Sequence, residues 1–321
     1  MRFVIVGPGA LGSLLAARLC LVSLEQKRAG NDHHQIVLFD YKPDRAEALN
    51  KSGLHLEEKG HIYHSHPLVT ADPGIINSAD ILFFCVKATA VANALSLIEP
   101  YLSSATLLLA MQNGIGHIDM VTSVNCLVGV GVTSEGATLT SPGDVRHGGK
   151  GITWLGLLSI GGQRASQLLK DTAVILNAAG FTTRVSSDPM KYIWAKLFVN
   201  VGINALSAIH RCLNGKLLEQ LSIKLVMEKA VQEAELIARA KGIYIEEDPV
   251  QETFRVCRMT ENNVSSMHQD ILLHRPTEIN SINGAIVTEG ERLGIATPVN
   301  AELVRQIKLI EASYGSGEGR D

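Results

Sequence analysis

The chain reads as an α/β protein with an N-terminal Rossmann-type parallel-sheet domain and a C-terminal all-helical domain. Three observations predict this. Short β-rich apolar runs alternate with helical stretches through the first half, the pattern of a parallel sheet flanked by helices. A glycine-rich turn, Gly7-Pro8-Gly9-Ala10-Leu11-Gly12, follows the first run and opens a helix. Beyond Ser186–Pro189 the apolar residues recur at helical spacing. The expected division is therefore 1–187 and 188–321, the second part carrying substrate and catalysis.

Taken in order, Phe3–Val6 is the first strand, followed by the glycine turn and a helix to about Leu21. Ser23–His34 is long and polar for a connection, so a surface excursion is expected there. Ile36–Phe39 and Ile81–Val86 are the next strands, and the unbroken apolarity of the latter predicts burial on both faces. Leu107–Met111, Cys126–Val132 and Ile152–Leu157 continue the series. The second half is read as helices at Met190–His210, Ile223–Lys241, Asn263–Leu273 and Thr277–Leu293, with Gly242 and Gly294 as helix stops. After Ala312 the sequence turns polar and Gly-rich and is expected to fray.

Of 321 residues, 46% are hydrophobic and 19% charged, with a net charge of −3. That balance gives no general attraction to nucleic acid or anionic membrane. Cys20, Cys85, Cys126, Cys212 and Cys257 show no pairing or metal spacing and read as reduced thiols of a cytoplasmic protein. No signal peptide and no uninterrupted apolar run of transmembrane length is evident. His61, His64 and His66 share one polar, edge-like segment, a solvated strand face; no metal site is expected.

The glycine turn has the context that a dinucleotide fingerprint requires. Gly7 permits the tight turn, Gly9 admits a pyrophosphate to the backbone, and Gly12 lets helix pack on strand. Free amides at the helix start would face the phosphates. Asp40 ends the second strand, where an acid holds the adenosine ribose 2′-hydroxyl and favours NAD. Lys42 and Arg45 follow closely and suit a 2′-phosphate, so the preference stays open. Lys87 and Asn113-Gly114 each follow a strand immediately, and ligands in open α/β sheets lie beyond the carboxyl ends of strands. Each has a plainer reading, as a solvated lysine and a simple turn.

The helix at Met190–His210 carries one narrow polar stripe. Lys196, Asn200 and Asn204 are spaced four apart and so fall within roughly 80° of one another on the helix. Trp194, Phe198, Val201 and Ala205 occupy the far side. Asn is a poor helix former, and a buried ammonium with two carboxamides needs partners, which a polar substrate supplies. An ordinary amphipathic face with chance asparagines is the competing reading. Ser266 opens the Asn263–Leu273 stretch, as local cap or ligand. Arg275-Pro276-Thr277-Glu278 is read as opening the next helix, with Glu278 either complementing its dipole or serving a site.

Together these segments resemble the ketopantoate reductase (2-dehydropantoate 2-reductase) family nearly end to end. The likeness runs through GPGALG (7–12), VKA (86–88), QNGIG (112–116), PGDVRH (142–147), WAKLFVNVGINALSA (194–208) and SSMHQD…RPTEINSING (265–284). The fingerprint is common to many dehydrogenases; the lysine–asparagine helix with the SSM–TE segment is specific. The resemblance implies NADPH-dependent reduction of ketopantoate to pantoate, a step toward pantothenate and coenzyme A. By motif match, Lys196 is the proton donor. Asn200, Asn204, Asn214 and Ser266 hold substrate, and Asn113 touches substrate and nicotinamide. Gly7, Pro8, Gly9, Ala10, Leu11, Gly12 and Lys87 contact the cofactor. Ala137, in the loop after the Cys126–Val132 strand, matches a cofactor-contacting alanine, and Glu278 matches a carboxylate near substrate and nicotinamide. Two positions depart from the pattern: Asn280 stands where the family has Asp, and Asp40 is unexpected with NADPH, so NADH stays open.

Hydride addition to a 2-oxo acid creates an alkoxide that a protonated lysine stabilises and then protonates. An ordinary lysine is already in that acid form near neutrality, so Lys196 is expected to need positioning more than tuning. The site is expected between the domains, closing around its ligands. Rival readings are a reductase of another 2-oxo or imino acid and a dinucleotide-sensing regulator without catalysis. The partner is a small-molecule 2-oxo acid, and a homodimer is possible on this sequence, without an apolar stripe that marks its interface.

Overall fold

The structure is a computed structural model that describes residues 1–30, 33–159 and 161–315. It separates into two compact units, Met1–Gln112 with Asp119–Pro189, and Asn113–Ile118 with Met190–Asp321. Residues 113–118 thus cluster with the helices although they follow a strand of the sheet.

The sheet unit begins with β1 (Arg2–Val6), α1 (Ala10–Arg28), β2 (Gln35–Phe39), α2 (Pro43–Ser52), β3 (Leu54–Glu58), β4 (His61–Ser65) and β5 (Leu68–Thr70). It continues through β6 (Ile81–Phe84), α3 (Val91–Ile98), β7 (Leu107–Ala110), α4 (Ile118–Thr122) and β8 (Leu127–Thr133). β9 (Gly136–Ser141), β10 (Asp144–Gly149), β11 (Ile152–Leu157), α5 (Gly162–Ala178) and β12 (Thr182–Val185) complete it. The main sheet has eight strands in the order β12-β11-β8-β7-β6-β1-β2-β5. β1 lies between β2 and β6, parallel to both, with Val6 level with Phe39 and Phe84. Every residue of β6 and β7 is buried, as unbroken apolar runs covered on both faces require. The parallel α/β core is therefore as the sequence predicts.

Several details differ. The Ile152–Leu157 strand is antiparallel to β8. A second sheet, ordered β4-β3-β10-β9, was not foreseen; its strands are short and mostly polar, and the exposed β4 with His61 and His64 forms its edge. The first helix continues past Leu21 to Arg28. Ser23 is buried there, its hydroxyl donating to the His34 carbonyl (2.6 Å) and accepting the His34 amide (3.0 Å), which ties the return to the helix. The expected excursion is thus shorter than Ser23–His34, and its residues 31–32 lie outside those described.

The helical unit contains α6 (Pro189–Ile209), α7 (Leu221–Ala240), α8 (Pro249–Met259), α9 (Ser266–Leu272), α10 (Asn283–Leu293) and α11 (Pro298–Ala312). Its core gathers Trp194, Phe198 and Val201 of α6 with Met227 and Val231 of α7, Phe254 of α8, and Ile286, Leu303 and Ile307. α6 is long and apolar enough to cross a membrane, yet 67% of its most apolar window is buried, as in a core helix. Gly242 and Gly294 sit at φ 70° and 68° and end α7 and α10, as read from the sequence. Thr277–Leu293 is not one helix: Ile279–Ser281 forms a separate 3-10 turn, and α10 starts only at Asn283. Glu278, at φ −92° and ψ 20°, precedes that turn instead of lying in a first helical turn. Of the tail expected to fray, Ser313–Gly315 forms a 3-10 turn and residues 316–321 lie outside those described.

Candidate functional site

In the sheet unit the glycine turn is shaped as a cradle. Gly7 has φ +102°, and a Cβ there would meet the Val86 amide at 3.1 Å. A Cβ on Gly12 would come within 2.0 Å of the Gly7 carbonyl, so helix and turn touch backbone to backbone. A Cβ on Gly9 would meet nothing within 4 Å; that side is open. Gly9 is the N-cap of α1 and contributes no side-chain cap. The amides that open α1 at Ala10, Leu11 and Gly12 therefore remain for a phosphate, with the helix dipole behind them. Pro8 lies between Gly7 and Gly9.

Asp40 ends β2 and is fully buried. Both carboxylate oxygens are engaged: Arg45 donates Nη2 to Oδ1 (2.7 Å) and Nε to Oδ2, and the Lys42 amide donates to Oδ1 (3.1 Å). The bidentate pair holds the Arg45 guanidinium even more firmly charged than usual, through its bonds to Asp40. Tyr41 is 62% exposed, with Lys42 Nζ 5.7 Å and Arg45 Cζ 6.0 Å from its ring centroid. What this corner presents outward is cationic and aromatic, and the carboxylate lies beneath. Lys87 is exposed just past Val86. The strand end beside it is held by Gln112, which the sequence reading passed over; its amide donates to the Phe84 (2.7 Å) and Val86 (3.0 Å) carbonyls. Ala137 is not in a loop: it lies in β9 opposite His147 and packs on the sheet unit's core.

In the helical unit three of the expected residues form one hydrogen-bonded chain. Lys196 Nζ donates to Asn113 Oδ1 at 2.7 Å, and Asn113 Nδ2 donates to Glu278 Oε2 at 3.0 Å. One neutral carboxamide thus faces an ammonium with its oxygen and a carboxylate with its amide. Asn113 is fixed by the turn after it. Gly114, at φ +80°, would place a Cβ 1.9 Å from the Ser281 carbonyl, which accepts the Ile115 amide at 3.0 Å. Burial pushes the Lys196 ammonium down to about 8, and the Glu278 charge opposes that only in part. The expectation of an ordinary lysine is corrected: desolvation in the helical core tunes this group as well as placing it.

Asn200 is half-buried and Asn204 buried along the same face of α6. Among the described residues their carboxamides make no hydrogen bond. Such groups on a mostly buried helix are open to a polar ligand. Asn214 is buried at the start of the Asn214–Leu218 3-10 turn. Its Nδ2 donates to Thr260 Oγ1 (2.9 Å), while its Oδ1 is buried with no partner among the described residues. Ser266 is exposed at the start of α9; the cap there is Ser265, whose hydroxyl accepts the His268 amide. The structure therefore joins Lys196, Asn113 and Glu278 directly and aligns Asn200 and Asn204 on the same helix. Among the described residues no hydrogen bond brings Asn214 or Ser266 into that chain. No group of His, Cys, Asp and Glu suited to a metal ion occurs among the described residues, and all five cysteines are free.

An ammonium near its proton-release range, beside two open carboxamides and a carboxylate, can donate a proton to an oxygen that gains negative charge. The family model described as Ketopantoate reductase PanE/ApbA matches residues 3–159, and its C-terminal counterpart matches 188–311. A 2-dehydropantoate 2-reductase of Halobacterium salinarum is 32% identical over 97% of this chain and 99% of its own. One of Vibrio cholerae is 34% identical over 98% and 99%. A solved ketopantoate reductase family structure from Ralstonia eutropha superposes with TM-score 0.86 at 29% identity, covering 98% of this chain and all of that one (100%). D-mandelate dehydrogenase in ternary complex with NADH and anilino(oxo)acetate gives TM-score 0.83 at 26% identity, with 98% and 100% covered.

Proposed function

Since the chain belongs to the ketopantoate reductase family and is an oxidoreductase, we propose that it reduces 2-dehydropantoate to pantoate, with Lys196 as proton donor. The observation that carries this reading is the Lys196–Asn113–Glu278 chain. When bound, a reduced nicotinamide dinucleotide supplies the hydride for the ketone carbon. The Lys196 ammonium donates a hydrogen bond to the ketone oxygen and stabilises the charge that develops there. Its proton then passes from Nζ to that oxygen, leaving a hydroxy acid and a neutral amine that recovers a proton from water. Asn113 keeps the amine aimed, and Glu278 supports the charged form. Asn200 and Asn204 take the substrate carboxylate or hydroxyls through their open carboxamides. Asn214, through its unpartnered Oδ1, and Ser266 are assigned to substrate binding on the family motif.

The residues present fit a dinucleotide. Gly7–Gly12 would hold the pyrophosphate on the α1 amides, with Lys87 and Ala137 as further contacts. With Asp40 buried under Arg45, the groups that would meet the adenosine ribose are Arg45, Lys42 and Tyr41. A 2′-phosphate suits that set, and we therefore assign NADPH. Five free thiols accord with a reducing compartment such as the cytoplasm.

A second reading, reduction of an aryl 2-oxo acid, is favoured by the likeness to D-mandelate dehydrogenase. Initial rates with ketopantoate and a panel of 2-oxo acids, using NADPH and NADH in parallel, decide between the two. The expected result is ketopantoate-dependent loss of NADPH absorbance at the highest kcat/KM of the panel. A higher value for an aryl substrate would favour the second reading. Nucleotide binding without any turnover would instead make the protein a sensor.

A further inference from the structure

Glu278 is held from a second side by a residue far along the chain. Glu311, in the last turn of α11, accepts two hydrogen bonds on one carboxylate oxygen: the Thr277 amide at 2.7 Å and the Thr277 hydroxyl at 2.7 Å. Thr277 is 1% exposed, so its amide and hydroxyl have this carboxylate in place of water as their partner. The same hydroxyl accepts the Ile279 amide at 3.3 Å. The backbone on both sides of Glu278 is thereby tied to one side chain, and that side chain to α11. The Glu278 carbonyl accepts the Ser281 and Ile282 amides (3.0 and 3.2 Å), and the Ser281 carbonyl seats the Asn113–Gly114 turn.

We propose that Glu311 is a positioning residue for the reaction: by clamping Thr277 it fixes the Glu278 carboxylate against Asn113 and Lys196. This rests on the reading of Lys196 as proton donor and extends it to the last helix. Burial of Glu311 opposes its charge, but the bonds from Lys308 and Thr277 outweigh that and hold its carboxyl below the usual range. The clamp is thus an ionised, charge-assisted acceptor. The titratable neighbours that bear on it are Lys308, on its own helix at 2.8 Å, and Tyr314 just beyond. On Lys196, Glu278 is the charge identified among the described residues, with neutral Asn113 as the bonded partner. If the clamp is released and Glu278 withdraws, Lys196 loses that support and its titration falls further.

The test measures Lys196 directly, by NMR titration of the full chain labelled with ¹³C at lysine Cε, the resonance assigned by its loss in Lys196→Arg. In Glu311→Leu, which removes the acceptor, and in Thr277→Val, which removes the hydroxyl, the lysine pKa is expected to fall by about half a unit to one unit. The alkaline limb of kcat/KM should move with it, and kcat should drop about tenfold. Thr277→Ser keeps the hydroxyl and is expected to behave as the parent. If Glu311→Leu does not fold, Thr277→Val decides alone. A folded variant that lacks the clamp yet keeps the parent titration overturns the inference, because simple anchoring of α11 would alter melting and not Lys196. A shifted titration in a protein without 2-oxo acid turnover defeats the reductase reading and spares the clamp; an unshifted titration in an active enzyme does the reverse.

Discussion

The glycine cradle and the lysine chain are built in opposite ways. The cradle is six consecutive residues that would bind through backbone amides in the proposed reading, so its shape depends on where side chains are absent. The lysine chain is made of side chains alone, and its hydrogen bonds link residues 83 and 165 positions apart. A contiguous backbone device needs only local geometry. A side-chain device assembled across the sequence inherits its geometry and electrostatics from packing, and so can be detuned from a distance.

The largest expected effect isolates the side-chain device. Lys196→Ala should lower kcat by roughly 10²–10⁴, the usual range for a lost acid–base group, while the dinucleotide Kd, read by fluorescence titration, stays near the parent value. Equal losses in both would mean that the two devices are not separable.

Paired glycine substitutions sharpen the contrast. Gly12→Ala forces a Cβ onto the Gly7 carbonyl, and Gly114→Ala forces one onto the Ser281 carbonyl. Each should cost about 2–3 kcal/mol in stability by denaturant titration. Their functional losses should diverge: Gly12→Ala weakens ADP-ribose binding in calorimetry, whereas Gly114→Ala spares it and depresses turnover by displacing Asn113. Weakened nucleotide binding in Gly114→Ala alone would refute that division.

Smaller effects are expected at the Asp40 corner. Arg45→Ala should weaken 2′,5′-ADP about tenfold, worth about 1.4 kcal/mol. Asp40, uncovered, should then accept a ribose hydroxyl and narrow the gap to ADP-ribose. Unchanged calorimetric affinities for both ligands would remove Arg45 from cofactor recognition.

A last effect, of similar size, is a stability change with a definite sign. Lys196 has a folded-state pKa of about 8, below the ordinary lysine value of 10.5. Between those values the unfolded chain binds more protons, so this group's contribution to stability rises with pH over that window. Its cost is fully present below about pH 8 and relieved toward 10.5. Lys196→Met is therefore expected to be more stable than the parent at pH 7, by about 1–2 kcal/mol in urea titration after allowance for solvent screening and the lost Asn113 bond. The advantage should vanish near pH 10; if it grows instead, desolvation is not what lowers the lysine.

Much of the arrangement was legible in the chain. Continuous apolar runs gave the parallel strands, and GPGALG after a strand gave the cradle. The four-residue spacing of Lys196, Asn200 and Asn204 gave a polar stripe on one helix face. The second sheet escaped because β3, β4, β9 and β10 are short, polar strands, and its two local hairpins join only through β3 and β10, whose residues lie far apart in the chain; periodicity carries no pairing information. The Glu278 turn was mistaken for a helix start because Pro276 and an acid are common there. What bends the chain away is a carboxylate on α11, remote in sequence, that captures the Thr277 amide and hydroxyl.

What the sequence alone determined, then, is whatever depends on neighbours a few residues away: turn glycines, helix faces and buried strands. Tertiary structure decided that Asp40 would be fully buried, that Asn113 would bridge Lys196 and Glu278, and that burial would lower the lysine toward neutrality. The reason is physical: a charge's state depends on its desolvation and its partners, and both are set only when distant segments pack together.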